Sequence, residues 1–115
     1  MNFDFVYKIC TKSEWNNAKE NKIFKGTDLD LKDGFIHFSD KNQVKQTLNR
    51  FYLNQSNLVL LKVDALKLKN LVYEQSSDGN VFPHLYSELD LKLIVKDYSI
   101  DLNEDGNHNL PSELQ

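Results

Sequence analysis

Two histidines in short, aromatic-rich segments are the residues of this chain best suited to chemistry. His37 lies within FIHFS, residues 35–39, and His84 lies within FPHLY, residues 82–86. Imidazole exchanges protons near neutral pH, so each histidine is a candidate acid, base or hydrogen-bond donor. The alternative is that each ring packs at the edge of the core with its nitrogens bonded to neighbouring groups.

The FPHLY segment has the features of a ligand-facing surface. Pro83 fixes the backbone before His84. The period of two in a β-strand then places His84 and Tyr86 on the same face. Glu74 lies on the preceding arm of a predicted hairpin and is expected close to both rings.

Arg50 is the only arginine in a chain whose other thirteen basic residues are lysines. It follows Gln43 by seven residues in a predicted helix, a step that returns to the same helix face. A guanidinium group binds carboxylate or phosphate through two parallel hydrogen bonds, which an ammonium group does not do. Gln43 and Arg50 are therefore candidates for holding an anionic group, although a lysine-rich composition also leaves a single arginine by chance.

Other types of reactive site find little support. Neither of the two histidines has a partner at the spacing of a zinc site, and Cys10 is the sole cysteine, predicted to be buried. Asp28, Asp30 and Asp33 are spaced like part of a calcium loop, but the later bidentate glutamate is missing. These aspartates are predicted to cap turns, and no metal site is predicted.

The pattern of apolar residues predicts an α+β domain, with two helices in the N-terminal half and a sheet built mainly from later strands. Thr11 with Glu14 fits a capping box at the start of the first helix. The predicted strands are residues 5–10, 35–39, 57–64, 71–74, 81–86 and 91–97, the helices run from Thr11 to before Gly26 and over 41–52, and residues 27–33 form a loop. Pro83 indicates an edge strand or a bend.

Charge is unevenly distributed along the chain. The net charge is −3, but residues 101–115 carry four acidic residues and no lysine or arginine, which leaves residues 1–100 close to neutral. The prediction is one domain over residues 1–100, followed by a flexible acidic tail over residues 101–115 in which His108 is exposed. A near-neutral body argues against binding long nucleic acids. Short apolar runs and the lack of a signal-like N-terminus predict no membrane partner and a cytoplasmic location.

Several motifs occur in an order that resembles a known family. They are residues 7–10, Glu14 with Trp15, residues 33–39, Gln43 and residues 82–86. Over about residues 5–97 the chain resembles the bacterial and plant family called domain of unknown function nine-five-two. That resemblance implies a fold similar to the ADP-ribosyltransferases, with a split, bent mixed sheet and a cleft that holds NAD.

The resemblance does not carry over the catalytic triad of those transferases. Where they place Arg or His on the first strand, this chain has Tyr7 and Lys8. The second strand offers His37 and Ser39. The later catalytic glutamate could only be Glu74 or Glu88.

Two functions follow from this resemblance. In the first, a nucleotide-type molecule binds in the cleft, Glu74 bonds a ribose hydroxyl, and His37 and His84 orient the ribose or diphosphate. The candidate ligand-binding residues are then His37, Ser39, Gln43, Arg50, Glu74, His84 and Tyr86. In the second, the same cleft belongs to a non-catalytic module that recognises a small metabolite or a modified residue, and the missing triad favours this version. A purely structural role for both motifs also stays open, as does the oligomeric state.

Overall fold

The strands of this protein divide into three separate sheets. The computed structural model describes residues 3–114. In chain order the elements are β1 (Phe5–Thr11), α1 (Lys12–Asn21), β2 (Ile23–Phe24), α2 (Asp28–Asp33), β3 (Ile36–His37), α3 (Val44–Phe51), β4 (Leu58–Asp64), β5 (Leu71–Gln75), β6 (Val81–Leu85), β7 (Leu89–Asp90) and β8 (Ile94–Ile100). The α+β class is confirmed.

The three sheets have the strand orders β1-β4-β8, β2-β7 and β3-β6-β5. Every pairing between these strands is antiparallel, so the prediction of a mixed sheet is wrong. A parallel pair needs a crossover connection between two strands of one sheet. Here each α-helix connects strands of different sheets, so no such crossover arises.

The sheet β1-β4-β8 is covered on both faces, and β4 is central in it as its apolar sequence predicts. Alternation along β1 directs Val6 and Cys10 into one core cluster, which also contains Trp15 of α1. It directs Tyr7 and Ile9 into a second cluster, which α3 completes. Burial raises the pKa of the Cys10 thiol to about 12, so this cysteine is an inert core residue as predicted.

The second helix is where sequence and structure differ most. The capping box of Thr11 and Glu14 starts α1 as predicted. The sequence predicts a loop over residues 27–33, but Thr27 and Asp30 form a second capping box that starts α2. Gly34 ends α2 with φ of 86°. The N-terminal half therefore contains three α-helices rather than two.

The hairpin of β5 and β6 is confirmed, with its turn at residues 76–80. Of the two alternatives predicted from Pro83, an edge strand or a bend, the edge strand is wrong, because β6 lies between β3 and β5. The proline is tolerated because the ladder between β3 and β6 ends at the pair His37 and His84. Beyond that pair the Pro83 carbonyl still accepts a hydrogen bond from the Phe38 backbone N–H, but no proline N–H is required.

The last strand begins three residues later than predicted. Residues 91–93 form a 3₁₀ turn instead, in which the Asp90 side chain accepts a hydrogen bond from the Lys92 N–H. This local bond competes with the extended conformation.

Residues 101–114 pack against the body, which differs from the loose tail that their composition predicts. Leu110 is buried in the cluster under α3. Glu113 accepts hydrogen bonds from Lys62, Tyr98 and Tyr7. His108 is half-buried, and its Nε2 lies 2.9 Å from the Gln55 carbonyl.

Candidate functional site

A cavity of about 370 Å³ lies where the first and third sheets meet. An isolated antiparallel bridge between Tyr7 and Ser39 joins these two sheets. Residues of β1, α2, β3, α3, the turn between β5 and β6, and β6 itself line the cavity. Its volume falls within the range typical of small-molecule sites.

The two candidate histidines are neighbours on the wall of this cavity. His37 on β3 and His84 on β6 are opposite each other in the strand register. Their ring centroids are 5.4 Å apart, with one edge towards the other face. The Phe35 ring stacks on His84 at 4.1 Å and contacts His37 at 4.5 Å. Both rings are thus held by aromatic contacts on the outer face of the third sheet.

His37 has a carboxylate at each ring nitrogen. Its Nδ1 lies 2.6 Å from Asp30 Oδ1, and its Nε2 lies 2.9 Å from Asp33 Oδ2. An ionised carboxylate only accepts hydrogen bonds, so Nδ1 is the donor to Asp30. Both ring nitrogens of His37 thus lie next to carboxylates of α2.

Asp30 is the centre of a buried polar cluster. Its carboxylate accepts hydrogen bonds from Lys8 Nζ, from the Thr27 N–H and from both the ring and the backbone N–H of His37. Lys8 Nζ also donates to the His37 carbonyl at 3.0 Å. Burial alone would raise the pKa of Asp30, but the hydrogen bond from His37 and the charge of Lys8 lower it to about 2. The cluster is a buried ionic clamp that joins β1, α2 and β3.

His84 belongs to a second, more open arrangement. Its Nδ1 lies 2.8 Å from Glu74 Oε1, and the Tyr86 hydroxyl donates to the same oxygen at 2.5 Å. The hydrogen bond from Tyr86, followed by that from His84, lowers the pKa of Glu74, and the same bond to Glu74 raises the pKa of Tyr86. Within residues 3–114, Nε2 of His84 has no hydrogen-bond partner. The predicted proximity of these three side chains is confirmed.

The remaining candidates differ in their relation to the cavity. Ser39 lines it, and its hydroxyl lies 2.9 Å from that of Thr47. Arg50 also lines it, but its guanidinium pairs with Asp78 in the hairpin turn at 2.6 Å. Gln43 does not line it: its amide oxygen accepts from the Asp40 N–H and its amide nitrogen donates to the Val81 carbonyl. Gln43 instead fixes the start of α3 against the hairpin.

Sequence reasoning misses the residues of the clamp. Lys8 stands out in the sequence only as a departure from the transferase pattern, and Asp30 and Asp33 only as turn residues. The spacing of Thr27 and Asp30 matches a capping box, and a lysine within an apolar strand is a signal for a buried counter-charge. Neither signal indicates which partner the lysine has.

Over residues 3–114 no group of three or more His, Cys, Asp and Glu side chains has an arrangement that could hold a metal ion. In the same part of the chain, no helix has both the length and the apolar character needed to cross a membrane.

The fold and site together define a class: a small α+β protein whose split antiparallel sheets meet at a cavity with two adjacent histidines. Residues 9–97 match the family described as protein of unknown function (DUF952), and the chain belongs to that family. The match includes β3, β6 and both histidine motifs. It excludes the acidic C-terminal segment.

Solved structures of a protein from Caulobacter crescentus, CC0527, are similar to this one. The X-ray crystal structure of CC0527 is 40% identical, covers 96% of this chain and 97% of its own, and has a TM-score of 0.89. A crystal structure of its double mutant has the same TM-score at 39% identity, with the same coverage. The solution NMR structure has a TM-score of 0.82 at 40% identity and covers 91% of each chain. No curated protein matches the chain.

Proposed function

We propose that this protein binds a nucleotide-type small molecule, similar to NAD or ADP-ribose, in the cavity between its first and third sheets. The observation that carries the proposal is the pair His37 and His84, side by side on the cavity wall, each with carboxylate partners. Such a pair offers hydrogen-bonding and proton-exchanging groups to a polar ligand. Its placement in the cleft also supports a relation to the ADP-ribosyltransferase fold.

The two ends of the cavity differ in chemistry, and the difference favours an elongated ligand with an anionic group. Arg50, Ser76 and Ser77 line the end at the hairpin turn. His84 is four strand residues from that turn, which corresponds to about 13 Å. Aromatic side chains also line the cavity, including Phe51 and Phe82. A nucleotide has a diphosphate, a ribose and a flat apolar base in a length of this order.

The experiment is isothermal titration calorimetry of the purified protein with NAD, ADP-ribose and AMP, supported by thermal unfolding. A ligand at 100 times its dissociation constant adds about 2.7 kcal/mol to the free energy of unfolding. We expect at least one of these ligands to bind and His84→Ala to weaken its binding about tenfold or more. Unchanged heats and melting temperatures with all three would overturn the proposal.

The matched control is His108→Asn. His108 is half-buried and bonded to a backbone carbonyl, but it lines a different depression under α3. Its variant should bind as the unmodified protein does. Equal losses in both variants would mean that the effect is general to histidine removal and not specific to the cavity.

A non-catalytic binding module is the second candidate function, and one observation favours it. At the position of the transferases' first triad residue, the Lys8 ammonium is bonded to Asp30 and to the His37 carbonyl and is almost completely buried. Lys8 lines the cavity, but its ammonium group is already bonded within the clamp. The test is to incubate the protein with NAD and to follow nicotinamide release by chromatography. Binding of NAD without release of nicotinamide would identify the non-catalytic binding module.

A further inference from the structure

The two histidines of the cavity differ in what their ring nitrogens can do. Both nitrogens of His37 lie against carboxylate oxygens, at 2.6 and 2.9 Å. Loss of either proton would set a nitrogen lone pair against an acceptor oxygen. His84 has a carboxylate only at Nδ1, and its Nε2 has no hydrogen-bond partner within the described residues. His84 can gain or lose the Nε2 proton without breaking any existing bond.

We propose that His84 is the acid–base residue of this site, that its Nε2 takes a proton from a hydroxyl group or a water molecule in the cavity, and that His37, with a carboxylate at each ring nitrogen, does not take this role. This inference rests on the proposed function for the ligand, which must present a hydroxyl group to Nε2. Ribose hydroxyls have that chemistry.

Glu74 and Tyr86 are the positioning residues of this arrangement. Glu74 accepts the Nδ1–H of His84 and so fixes the tautomer that leaves a lone pair on Nε2. The Tyr86 hydroxyl donates to the same oxygen and holds the carboxylate ionised. Phe35 stacks on the His84 ring at an interplanar angle of 26° and fixes its plane. The contacts of Tyr86 with Glu74 and of Glu74 with His84 therefore fix the position of one unbonded ring nitrogen, Nε2 of His84.

The charged groups around His84 come from three strands and one helix. Glu74 lies on β5, His37 lies on β3, and the two aspartates beside His37 lie on α2. Lys8 on β1 offsets one of those aspartates. Within the clamp, Lys8 and Asp30 form an ion pair at 2.7 Å. Glu74 is the charged group in direct contact with the His84 ring.

NMR of the imidazole nitrogens tests directly which ring nitrogen of His84 carries the proton. Long-range proton–nitrogen spectra are recorded on the full chain between about pH 5 and 9, the range in which histidines ordinarily titrate. We expect the neutral form of His84 to carry its proton on Nδ1, the nitrogen that donates to Glu74. A neutral Nε2–H form of His84 would overturn the proposal.

A reaction with p-nitrophenyl acetate tests whether the open nitrogen works as a base without knowledge of the natural ligand. Nε2 of His84 takes a proton from water, and the water oxygen forms a bond to the ester carbonyl carbon. The C–O bond to the aryl group breaks, p-nitrophenolate leaves with its electron pair, acetic acid is released, and Nε2 returns its proton to solvent. We expect His84→Ala to lower the rate about tenfold or more, within the contribution of general bases.

Two further variants separate this role from a structural one. Glu74→Gln keeps an acceptor oxygen but removes the charge, so the pH profile of the rate should move to lower pH. His108→Asn measures the contribution of a histidine outside the site and should leave the rate unchanged. If His84→Ala retains the full rate while its fold and melting temperature are intact, the inference fails.

The two proposals fail separately. If nucleotides bind but the ester reaction does not depend on His84, the proposed function stands and the acid–base assignment falls. If the reaction and the NMR spectra behave as expected but no nucleotide binds, the assignment stands and the ligand belongs to another class of hydroxyl compound.

Discussion

The histidines of two carboxylate–histidine groups line one cavity, and the two groups differ in the burial of the carboxylate and in the bonding of the ring. In the clamp of Lys8, Asp30 and His37, the Asp30 side chain is 1% exposed. In the group on the hairpin, Glu74 is 38% exposed, and His84 has an open nitrogen. The same pair of residue types is therefore used once to hold strands together and once to leave an atom available.

The difference shows that a carboxylate next to a histidine is not by itself a sign of catalysis. Burial makes each unmade bond costly, so all the oxygens of a buried carboxylate find donors. Near a partly exposed carboxylate, water can bond to polar atoms that the protein leaves unbonded. A histidine there can therefore keep one ring nitrogen without a protein partner. The clamp and the candidate reactive group contain the same types of residue. They differ in whether every polar atom of the histidine ring has a partner in the protein.

The largest expected effect is that of Asp30→Asn on stability. The substitution leaves the buried Lys8 ammonium without its counter-charge and removes the carboxylate at Nδ1 of His37. Breaking such a pair from one side costs about 3–5 kcal/mol, and urea unfolding at neutral pH measures the loss.

Asp33→Asn is the matched control, since Asp33 contacts the same ring but is 38% exposed. Its loss should not exceed about 1 kcal/mol. Similar values for the two variants would mean that the burial of the carboxylate does not set its contribution to the clamp.

Gly26→Ala tests the clamp through its backbone neighbour. Gly26 has φ of 119°, and an added Cβ would lie 2.7 Å from the Asp30 Cβ. Asp30 is fixed by its hydrogen bonds and cannot move away, so overpacking and backbone strain together should cost about 2–4 kcal/mol.

Gly34→Ala separates the two costs. Gly34 also has a positive φ, of 86°, but an added Cβ would have no atom within 4 Å beyond its chain neighbours. Only the backbone strain remains, about 1–2 kcal/mol. If Gly26→Ala is no worse than Gly34→Ala in chemical denaturation, Asp30 is not held rigidly.

The clamp should also make the protein sensitive to acid. The folded pKa of Asp30, about 2, lies below the ordinary value of 3.8. A lowered folded pKa means that the contribution is present above the unfolded pKa and is lost as the pH falls from about 4 towards 2. The difference in pKa corresponds to about 2 kcal/mol.

Urea unfolding at several pH values between about 5 and 2 measures this loss. Asp30→Asn lacks the titrating group, so its stability should fall less steeply over the same range. Parallel curves for the two proteins would assign the acid sensitivity to other carboxylates.

The open group is easier to predict from the sequence than the clamp, and the reason is the range of the interactions. Alternation along β6 and the offset across one hairpin are sufficient to bring Glu74, His84 and Tyr86 together. The contact of Lys8 with Asp30 joins residues in different elements, and no local pattern specifies it. The ion pair of Arg50 with Asp78 is of the same long-range kind.

Composition is also insufficient to predict the conformation of the C-terminal segment, residues 101–114. Its acidic residues predict a solvated tail, but Glu113 finds Lys62 and two tyrosine hydroxyls on the first sheet. A charge count records neither the direction of a side chain nor the position of its partner. The apolar Leu110 is the local signal that this segment packs.

The smallest expected effect is that of Tyr86→Phe, and it is read from titration instead of stability. Without the hydroxyl, Glu74 loses the hydrogen bond that contributes most to its lowered pKa. Its pKa should rise towards the ordinary value yet stay below it, because His84 still donates to the carboxylate. Carboxyl NMR follows this titration, and the melting temperature should not change.

Tyr73→Phe is the control on the same hairpin, since the Tyr73 hydroxyl accepts a hydrogen bond from the Phe3 N–H and makes none to Glu74. An unchanged titration of Glu74 in Tyr86→Phe would mean that Tyr86 does not hold the carboxylate, and the alignment of His84 would then rest on Glu74 and Phe35 alone.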